Sequence, residues 1–305
     1  MKENLEYCKS KKIGEFYYNP DEFRFCDGVL YYIGKETDGS KIKIPKGIKS
    51  CYSMFFRCEN LKTAPSIPEG VENCEMMFDK CIDLTTPPEI PEGVINCNSM
   101  FLGCASLKTA PSIPEGVKCC NNMFFQCDNL EIAPKIPKGC KDCTSMFYDC
   151  KNLTTAPEIP EGVINCTSMF EGCKNLKTAP KIPVGVIYCN SMFLGCTSLK
   201  TAPSIPKGIE NCDFMFLGCE NLKTAPEIPE GVKNCMYMFA DCKNLKTAPQ
   251  IPNGVEDCTS MFEGCESLKT PPIIGYGIKN CKNMFLGCIS LTKAPKYPKT
   301  VKWFI

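Results

Sequence analysis

Cysteine recurs in this chain at a fixed interval of 23 residues, and that interval constrains the fold more than any other feature. One series runs from Cys51 to Cys281, and a second series follows each member seven residues later, from Cys58 to Cys288. Met-Phe stands between the two cysteines of every pair. A constant period in the twenties is typical of a solenoid, in which each repeat packs only against its neighbours. Eleven gapless repeats therefore fill residues 51–305.

The core positions of each repeat recur at a helical spacing, which the second repeat illustrates. These positions are Cys74, Met77, Phe78, Cys81 and Leu84. The first four stand at i, i+3, i+4 and i+7, the spacing of one buried face on a short helix of about two turns. Asn, Asp or Ser precedes the first cysteine in nine of the eleven repeats and predicts the helix N-cap, with Cys119 and Tyr188 as the exceptions.

The second half of each repeat reads L-x-T-A-P-x-I-P-x-G-V, with small variations, and predicts extended backbone. Its prolines exclude a helix, because they lack the N–H donor and clash with the preceding turn. Stacked extended segments would lie about 4.8 Å apart in a parallel ladder, and the prolines would reduce that ladder to short bridges. The predicted fold is an α/β repeat solenoid of about 11 turns, each with a short helix and a short Pro-interrupted strand.

Residues 1–50 precede the array and differ from it. Apolar residues alternate around Asp38-Gly39, which predicts a β-hairpin, and the segment ends with the I-P-x-G-I tail of a repeat. We interpret this part as an N-terminal segment and hairpin cap that covers the core of the first repeat. At the other end, we expect Trp303 and Phe304 to form the C-terminal cap.

The composition excludes several classes of function. The chain has no His, so neither a Ser-His-Asp or Cys-His catalytic pair nor an imidazole metal ligand is possible. Lys plus Arg total 35 and Asp plus Glu total 34, without the basic excess of a general nucleic-acid binder. No run approaches the roughly 18 apolar residues of a membrane span, and the N-terminus lacks the apolar stretch of a signal peptide. We therefore expect no membrane insertion, and a cytoplasmic protein with mostly reduced cysteines.

The order I-P-x-G-V, Cys, Met-Phe, Cys and Leu resembles the BspA-type leucine-rich repeat family over about residues 44–305. Cys stands here where that family usually has Ile, and Met stands where it usually has Ala before Phe. The resemblance implies a right-handed leucine-rich repeat coil with the L-x-T-A-P strand on its concave side. It also implies a binding or adhesion role at a cell surface or on a virion, and no catalytic residues.

The cysteines allow three interpretations. We favour core packing, because Cys behaves as a small apolar side chain, although a spacing of one turn would also permit disulfides between repeats. A third interpretation, a thiol or metal site, rests on one irregular cluster. Its members are Cys119, Cys120, Cys140 and Cys143. Cys140 replaces the usual Val and forms a C-x-x-C motif with Cys143.

A lysine follows the conserved leucine in seven repeats, and threonine comes next in most. We name these lysines the lysine stripe: Lys62, Lys108, Lys177, Lys200, Lys223, Lys246 and Lys269. Thr178, Thr201 and Thr224 accompany the central members. A solvated face of good strand formers would show the same pattern. The alternative is a cationic and hydroxyl surface for an acidic partner or a glycan.

These observations favour a non-enzymatic binding or adhesion module without a cofactor, whose rigid surface contacts a protein or glycan partner. The first alternative is an intracellular or virion scaffold without a specific ligand. The second alternative is a thiol or metal protein that uses the cluster between Cys119 and Cys143. The sequence does not specify the partner or the oligomeric state.

Overall fold

The computed structural model describes residues 11–13 and 16–297 of the chain. Its regular elements precede the repeats: β1 is Lys11–Ile13, β2 is Phe16–Tyr18, β3 is Phe23–Cys26, β4 is Val29–Tyr32, and a 3-10 helix spans Gly39–Lys41. β1 pairs antiparallel with β2 and β3 pairs antiparallel with β4, so this part contains two separate ribbons. The repeats that follow consist of turns, extended segments and isolated parallel bridges.

The β3–β4 hairpin turns at Asp27-Gly28, so the prediction of a hairpin turn at Asp38-Gly39 is wrong. Asp27 and Gly28 have φ angles of 50° and 82°, as the central residues of a two-residue type I′ turn require. Asp38 instead caps the 3-10 helix, where its side chain accepts a hydrogen bond from the Ser40 N–H at 3.1 Å. Both dipeptides carry the turn signal, but only the first lies between two four-residue strands.

Two aromatic rings of this hairpin lie against the first repeat. The centroids of the Phe23 and Tyr32 rings lie 6.4 and 5.1 Å from the centroid of the Phe55 ring. Phe55 is fully buried and is the first phenylalanine of the Met-Phe column. On this contact we propose that residues 1–50 serve as the N-terminal cap. The C-terminal cap predicted at Trp303 and Phe304 lies outside the described residues.

Residues 23 positions apart lie side by side in successive repeats. The phenylalanine rings of the Met-Phe column, from Phe55 to Phe285, stack with centroids 5.4–5.8 Å apart. The core positions predicted in the second repeat are all fully buried: Cys74, Met77, Phe78, Cys81 and Leu84. The extended segments contribute single parallel bridges, such as the one between Thr155 and Thr178. The core is therefore a set of parallel columns that run the length of the array.

The short helix predicted between the two cysteines of each repeat is wrong, because this segment forms consecutive four-residue turns. In the fifth repeat the Met146 N–H donates to the Cys143 carbonyl at 3.2 Å, and the Cys150 N–H donates to the Phe147 carbonyl at 3.2 Å. Alternate N–H groups donate to the next repeat, as Phe147 does to the Met169 carbonyl at 3.0 Å. In every repeat the residue two after the first cysteine has a φ between 49° and 59°.

The i, i+3, i+4, i+7 spacing suits both structures, which explains the error. These positions are the first and last residues of two consecutive four-residue turns, and all four are buried in the second to tenth repeats. Bonds to the neighbouring repeat also satisfy N–H groups that a two-turn helix would leave without partners. The sequence did carry a signal for turns, because glycine stands one residue before the second cysteine in six repeats. These glycines all have positive φ: Gly103, Gly172, Gly195, Gly218, Gly264 and Gly287.

The column of Asn, Asp and Ser keeps its capping hydrogen bond although no helix follows it. The Asn73 Oδ1 accepts from the Glu75 N–H, and the Asn165 Oδ1 accepts from the Thr167 N–H, both at 3.0 Å. This geometry is an Asx turn, in which the side chain bonds the backbone two residues onward. Members of the column also form parallel bridges between repeats, as Asn73 does with Asn96. The predicted N-caps are therefore turn caps.

Candidate binding surface and cysteine sites

The lysine stripe is a continuous ladder over five consecutive repeats. Its five members there are exposed: Lys177, Lys200, Lys223, Lys246 and Lys269. The N–H groups of the last three donate to the carbonyl of the preceding lysine at 3.3–3.4 Å. Each of these repeats contributes one lysine, so the ladder carries one positive charge for each turn. Parallel backbones in such a ladder lie about 4.8 Å apart.

The other predicted members of the surface differ in their surroundings. Lys62 and Lys108 are exposed, but each is isolated, because the repeats between and after them carry Thr85 and Glu131 at the same position. Thr178, Thr201 and Thr224 are exposed beside the continuous ladder. The structure therefore brings together five of the seven predicted lysines and the three threonines as one surface.

Some lysines in other columns pair with carboxylates of a neighbouring repeat, whereas none of the stripe lysines does so within the described residues. The Lys233 Nζ lies 2.9 Å from Glu210 Oε2, and the Lys243 Nζ lies 2.7 Å from Glu220 Oε1. Across residues 16–297, no carboxylate oxygen lies within 4.0 Å of the Nζ of a stripe lysine. The stripe is thus a charged column without internal neutralisation.

The second cysteine column is buried and hydrogen-bonded. From Cys81 to Cys288, each thiol donates to the carbonyl of the phenylalanine 26 residues earlier, with Sγ–O distances of 3.0–3.2 Å. The Phe124 carbonyl, for example, accepts from the Cys127 N–H and from the Cys150 Sγ, both at 3.1 Å. Cys therefore fills a small core position and also donates to a second lone pair of a buried carbonyl, which Ala or Val cannot do.

Burial raises the pKa of thiols in both cysteine columns above their ordinary value of 9.0. The pKa of Cys74 rises to about 12 and that of Cys58 rises to about 11, in both cases because of desolvation. Desolvation also raises the pKa of the fully buried Cys150 well above 9.0. A thiolate at these positions would lose its hydration, so the thiols stay protonated at neutral pH and can donate. All described cysteines are free thiols.

The burial of these thiols predicts a short list of reactive sites. Cys26 and Cys119 are exposed in the described residues, whereas 21 cysteines are buried. We expect a maleimide at neutral pH to label these two rapidly in the native protein, and the buried thiols only after denaturation. Peptide-level mass spectrometry of the labelled protein measures this. Rapid labelling of Cys150 or its column neighbours in the folded protein would contradict the described packing.

The irregular cluster brings together two of its four cysteines in direct contact. The Sγ atoms of Cys120 and Cys140 lie 2.7 Å apart, and both residues are fully buried, whereas Cys119 is exposed. The hydrogen bond between the two thiols raises the pKa of Cys120 and lowers that of Cys140. Cys143 is buried in the first column. Among the described residues, no three Cys, Asp or Glu side chains are arranged to hold a metal ion.

Two surface features were absent from the predictions. Open grooves of about 900 and 500 Å³ lie on the A-P-x-I-P side of the repeats, and residues such as Ile205, Pro226 and Ile228 line the larger one. The stripe lysines line neither groove. An exposed apolar patch includes Ile187 and Tyr188, which are 48% and 55% exposed. From the sequence, partly exposed apolar residues such as these cannot be distinguished from residues of the core.

Stacked repeats with a conserved leucine and parallel bridges define the class as a leucine-rich repeat protein. The family model of the BspA type leucine rich repeat region matches residues 32–107, 75–200 and 167–292, with 6 copies. The chain therefore belongs to the BspA-type leucine-rich repeat family, and the resemblance stated above is confirmed. No curated protein matches the chain.

Two solved structures resemble the described fold. A leucine-rich repeat protein from Bacteroides ovatus ATCC 8483 is 20% identical, with a TM-score of 0.43, over 88% of this chain and 91% of that one. A leucine rich cell surface protein from Faecalibacterium prausnitzii A2-165 is 20% identical, with a TM-score of 0.39, over 88% of this chain and 95% of that one. Within the described ranges, no helix has the length and apolar character needed to cross a bilayer. The location of the protein stays a prediction.

Proposed function

We propose that this protein is a non-enzymatic binding module whose contact surface is the continuous part of the lysine stripe, from Lys177 to Lys269. The observation that carries the proposal is the run of exposed lysines at one position of five consecutive repeats, none of which has a carboxylate partner within the described residues. Like charges about 5 Å apart repel one another by about 0.8 kcal/mol in water. An anionic partner that lies along the ladder would relieve that repulsion at several positions together.

The surroundings of the stripe favour a polar partner. Exposed threonines follow the lysines, and Asn or Ser stands two residues before each of them. The Asn221 Nδ2 donates to the Thr197 carbonyl and the Asn244 Nδ2 donates to the Glu220 carbonyl, both at 2.9 Å. These bonds hold the two amides in place beside the charges. A carboxylated glycan or an acidic polypeptide would find cationic and hydrogen-bonding groups at a regular spacing.

The partner class can be tested with simple polyanions. Immobilised protein is exposed to polygalacturonate or to polyglutamate at low and high salt, with neutral dextran as the blank. We expect one of the two polyanions to be captured at low salt and released at high salt, because screening shortens the range of the charges. Capture of polygalacturonate alone indicates a glycan partner, and capture of polyglutamate alone indicates a protein partner.

Charge reversal locates the binding surface. The triple variant K177E/K200E/K223E should bind the captured polyanion at least about tenfold more weakly, because three attractive contacts become repulsive. The matched control is K118E/K141E/K207E, which has the same net charge and alters exposed lysines outside the stripe. Circular dichroism checks that both variants fold. Equal loss in the two variants would assign capture to net charge, and unchanged capture in the stripe variant would favour a scaffold without a specific ligand.

A further inference from the structure

The contact between Cys120 and Cys140 breaks the regularity of the core. In the column that Cys140 occupies, the other repeats from the first to the last carry Val or Ile. The Cys140 side chain lies with its Sγ 2.7 Å from the Cys120 Sγ and 3.7 Å from the Val117 carbonyl. Thiols of the second column instead make carbonyl hydrogen bonds of 3.0–3.2 Å. Only about 0.65 Å separates the observed distance from the length of a disulfide bond.

The same place lacks part of the bonding that joins neighbouring repeats. The N–H groups of Cys97 and Cys143 donate to carbonyls of the next repeat at 2.9 Å, but the Cys120 N–H makes no such bond within the described residues. Cys119 also replaces the Asn that caps the turn in most repeats. The Asn121 N–H consequently donates to Asn98 Oδ1 of the preceding repeat at 3.1 Å. The two cysteines therefore face each other at a point where part of the ladder between repeats is missing.

An open groove comes within one residue of both members of the pair along the chain. It has a volume of about 530 Å³ and is lined by Cys119, Gly139 and Lys141, among other residues. Cys119 directly precedes Cys120, and the other two residues flank Cys140 in the chain. The groove thus reaches the backbone on both sides of the buried thiols. The rim carries both Lys141 and Asp142, so the groove has no strong net charge against a small neutral oxidant such as hydrogen peroxide.

We propose that Cys120 and Cys140 are an oxidative modification site, at which a peroxide converts the two thiols into a disulfide that clamps one turn of the solenoid. The Cys140 thiolate attacks one oxygen of hydrogen peroxide, the O–O bond breaks, and hydroxide leaves to give a sulfenic acid. The Cys120 sulfur then attacks the Cys140 sulfur, the S–O bond breaks, and water leaves. In total, two thiols and one hydrogen peroxide give one disulfide and two molecules of water, with the sulfurs oxidised and the peroxide reduced.

The environment of the pair distinguishes it from the other buried thiols. The hydrogen bond from Cys120 lowers the pKa of Cys140, which increases the fraction of the nucleophilic thiolate. Desolvation instead raises the pKa of column members such as Cys143 and Cys150. We therefore expect Cys140 to react before those thiols.

The experiment uses reduced full-length protein, treated with a small excess of hydrogen peroxide and then alkylated with N-ethylmaleimide under denaturing conditions. Trypsin would release residues 119–135 joined to residues 139–141, with N-ethylmaleimide on Cys119 and Cys127. Its mass is 2 Da below the sum of the two peptides with the same two cysteines alkylated and with Cys120 and Cys140 as thiols. We expect this linked species to form before any other disulfide. We also expect the oxidised protein to melt roughly 5 °C higher than the reduced protein, and the difference to vanish with dithiothreitol.

Three variants make the assignment specific. Cys140→Val restores the usual residue of its column and should remove both the linked peptides and the thermal shift while it preserves the fold. Cys119→Ser should keep the linked peptides and the thermal shift. Cys120→Ser should lose the linked peptides and the thermal shift. The proposal is overturned if Cys120→Ser still gives the linked peptides through Cys119. It is also overturned if the wild-type protein oxidises first at another pair, such as Cys189 and Cys212.

Discussion

The array is expected to unfold cooperatively as the pH is raised from 8 to about 10. Burial holds the pKa of thiols in both cysteine columns above 9.0, at about 12 for Cys74 and Cys166, and well above 9.0 for Cys150. In the unfolded chain the same thiols ionise near pH 9. Above that pH the unfolded state binds fewer protons than the native state, so the free energy of unfolding falls as the pH rises. Below pH 9 the stabilisation is fully present.

The size of this effect follows from the number of thiols. Each buried thiol contributes a loss of about 1.4 kcal/mol for every pH unit between its unfolded and folded pKa values. Ten thiols of the second column donate to phenylalanine carbonyls. Together these ten would lose about 14 kcal/mol over one pH unit, which matches or exceeds the 5–15 kcal/mol typical of a folded domain.

Circular dichroism as a function of pH and proton release on a pH jump measure this transition. Nineteen buried cysteines have a raised pKa, and an unfolded thiol is about nine-tenths ionised at pH 10, so roughly 17 protons should leave each chain as it unfolds there. A control variant in which Cys97, Cys166 and Cys235 are changed to Ala should release about three protons fewer. The expectation fails if the thiolates form one after another while the circular dichroism remains native, since the thiols would then titrate without unfolding.

The buried columns could be predicted from the sequence, but the local backbone could not. A 23-residue period places equivalent residues side by side whatever the backbone does within each repeat, so Cys74, Phe78 and Leu84 were assigned correctly to the core. Helix and consecutive turns bury the same i, i+3, i+4 and i+7 positions. The choice between them depends on whether alternate N–H groups bond within the repeat or to the next one. That choice is made by the stacked array as a whole.

For the candidate sites, too, the position of each residue could be predicted from the sequence, but its contacts could not. The column position of each stripe lysine could be predicted, and its exposure follows from its place between a buried leucine and an exposed threonine. The absence of carboxylate partners could not be predicted, because it depends on which charged residues stand 23 positions away and on where each side chain points. The contact between Cys120 and Cys140 depends on the packing of one turn against the next. The sequence indicated only that both positions interrupt regular columns.

The substitution Phe147→Ala is expected to cost about 3–5 kcal/mol and to divide the array into two separately unfolding parts. Phe147 is fully buried and stacks between Phe124 and Phe170, with centroid distances of 5.7 and 5.6 Å. Ala would leave a cavity that neither neighbour can fill without breaking its own stack. Because each repeat contacts only its neighbours, the loss of one interface uncouples the repeats on its two sides.

The matched control for this substitution is Phe285→Ala near the end of the array. Phe285 is half-buried and, within the described residues, stacks on one ring, that of Phe262 at 5.6 Å. Its removal should cost less than half as much, because less apolar surface is lost and no repeat beyond it depends on the stack. Urea denaturation compares the two costs, and hydrogen exchange shows where each variant opens. Uniform opening of the whole array in Phe147→Ala would mean that the repeats are coupled by more than this column, with the inter-repeat hydrogen bonds of the turns carrying the cooperativity.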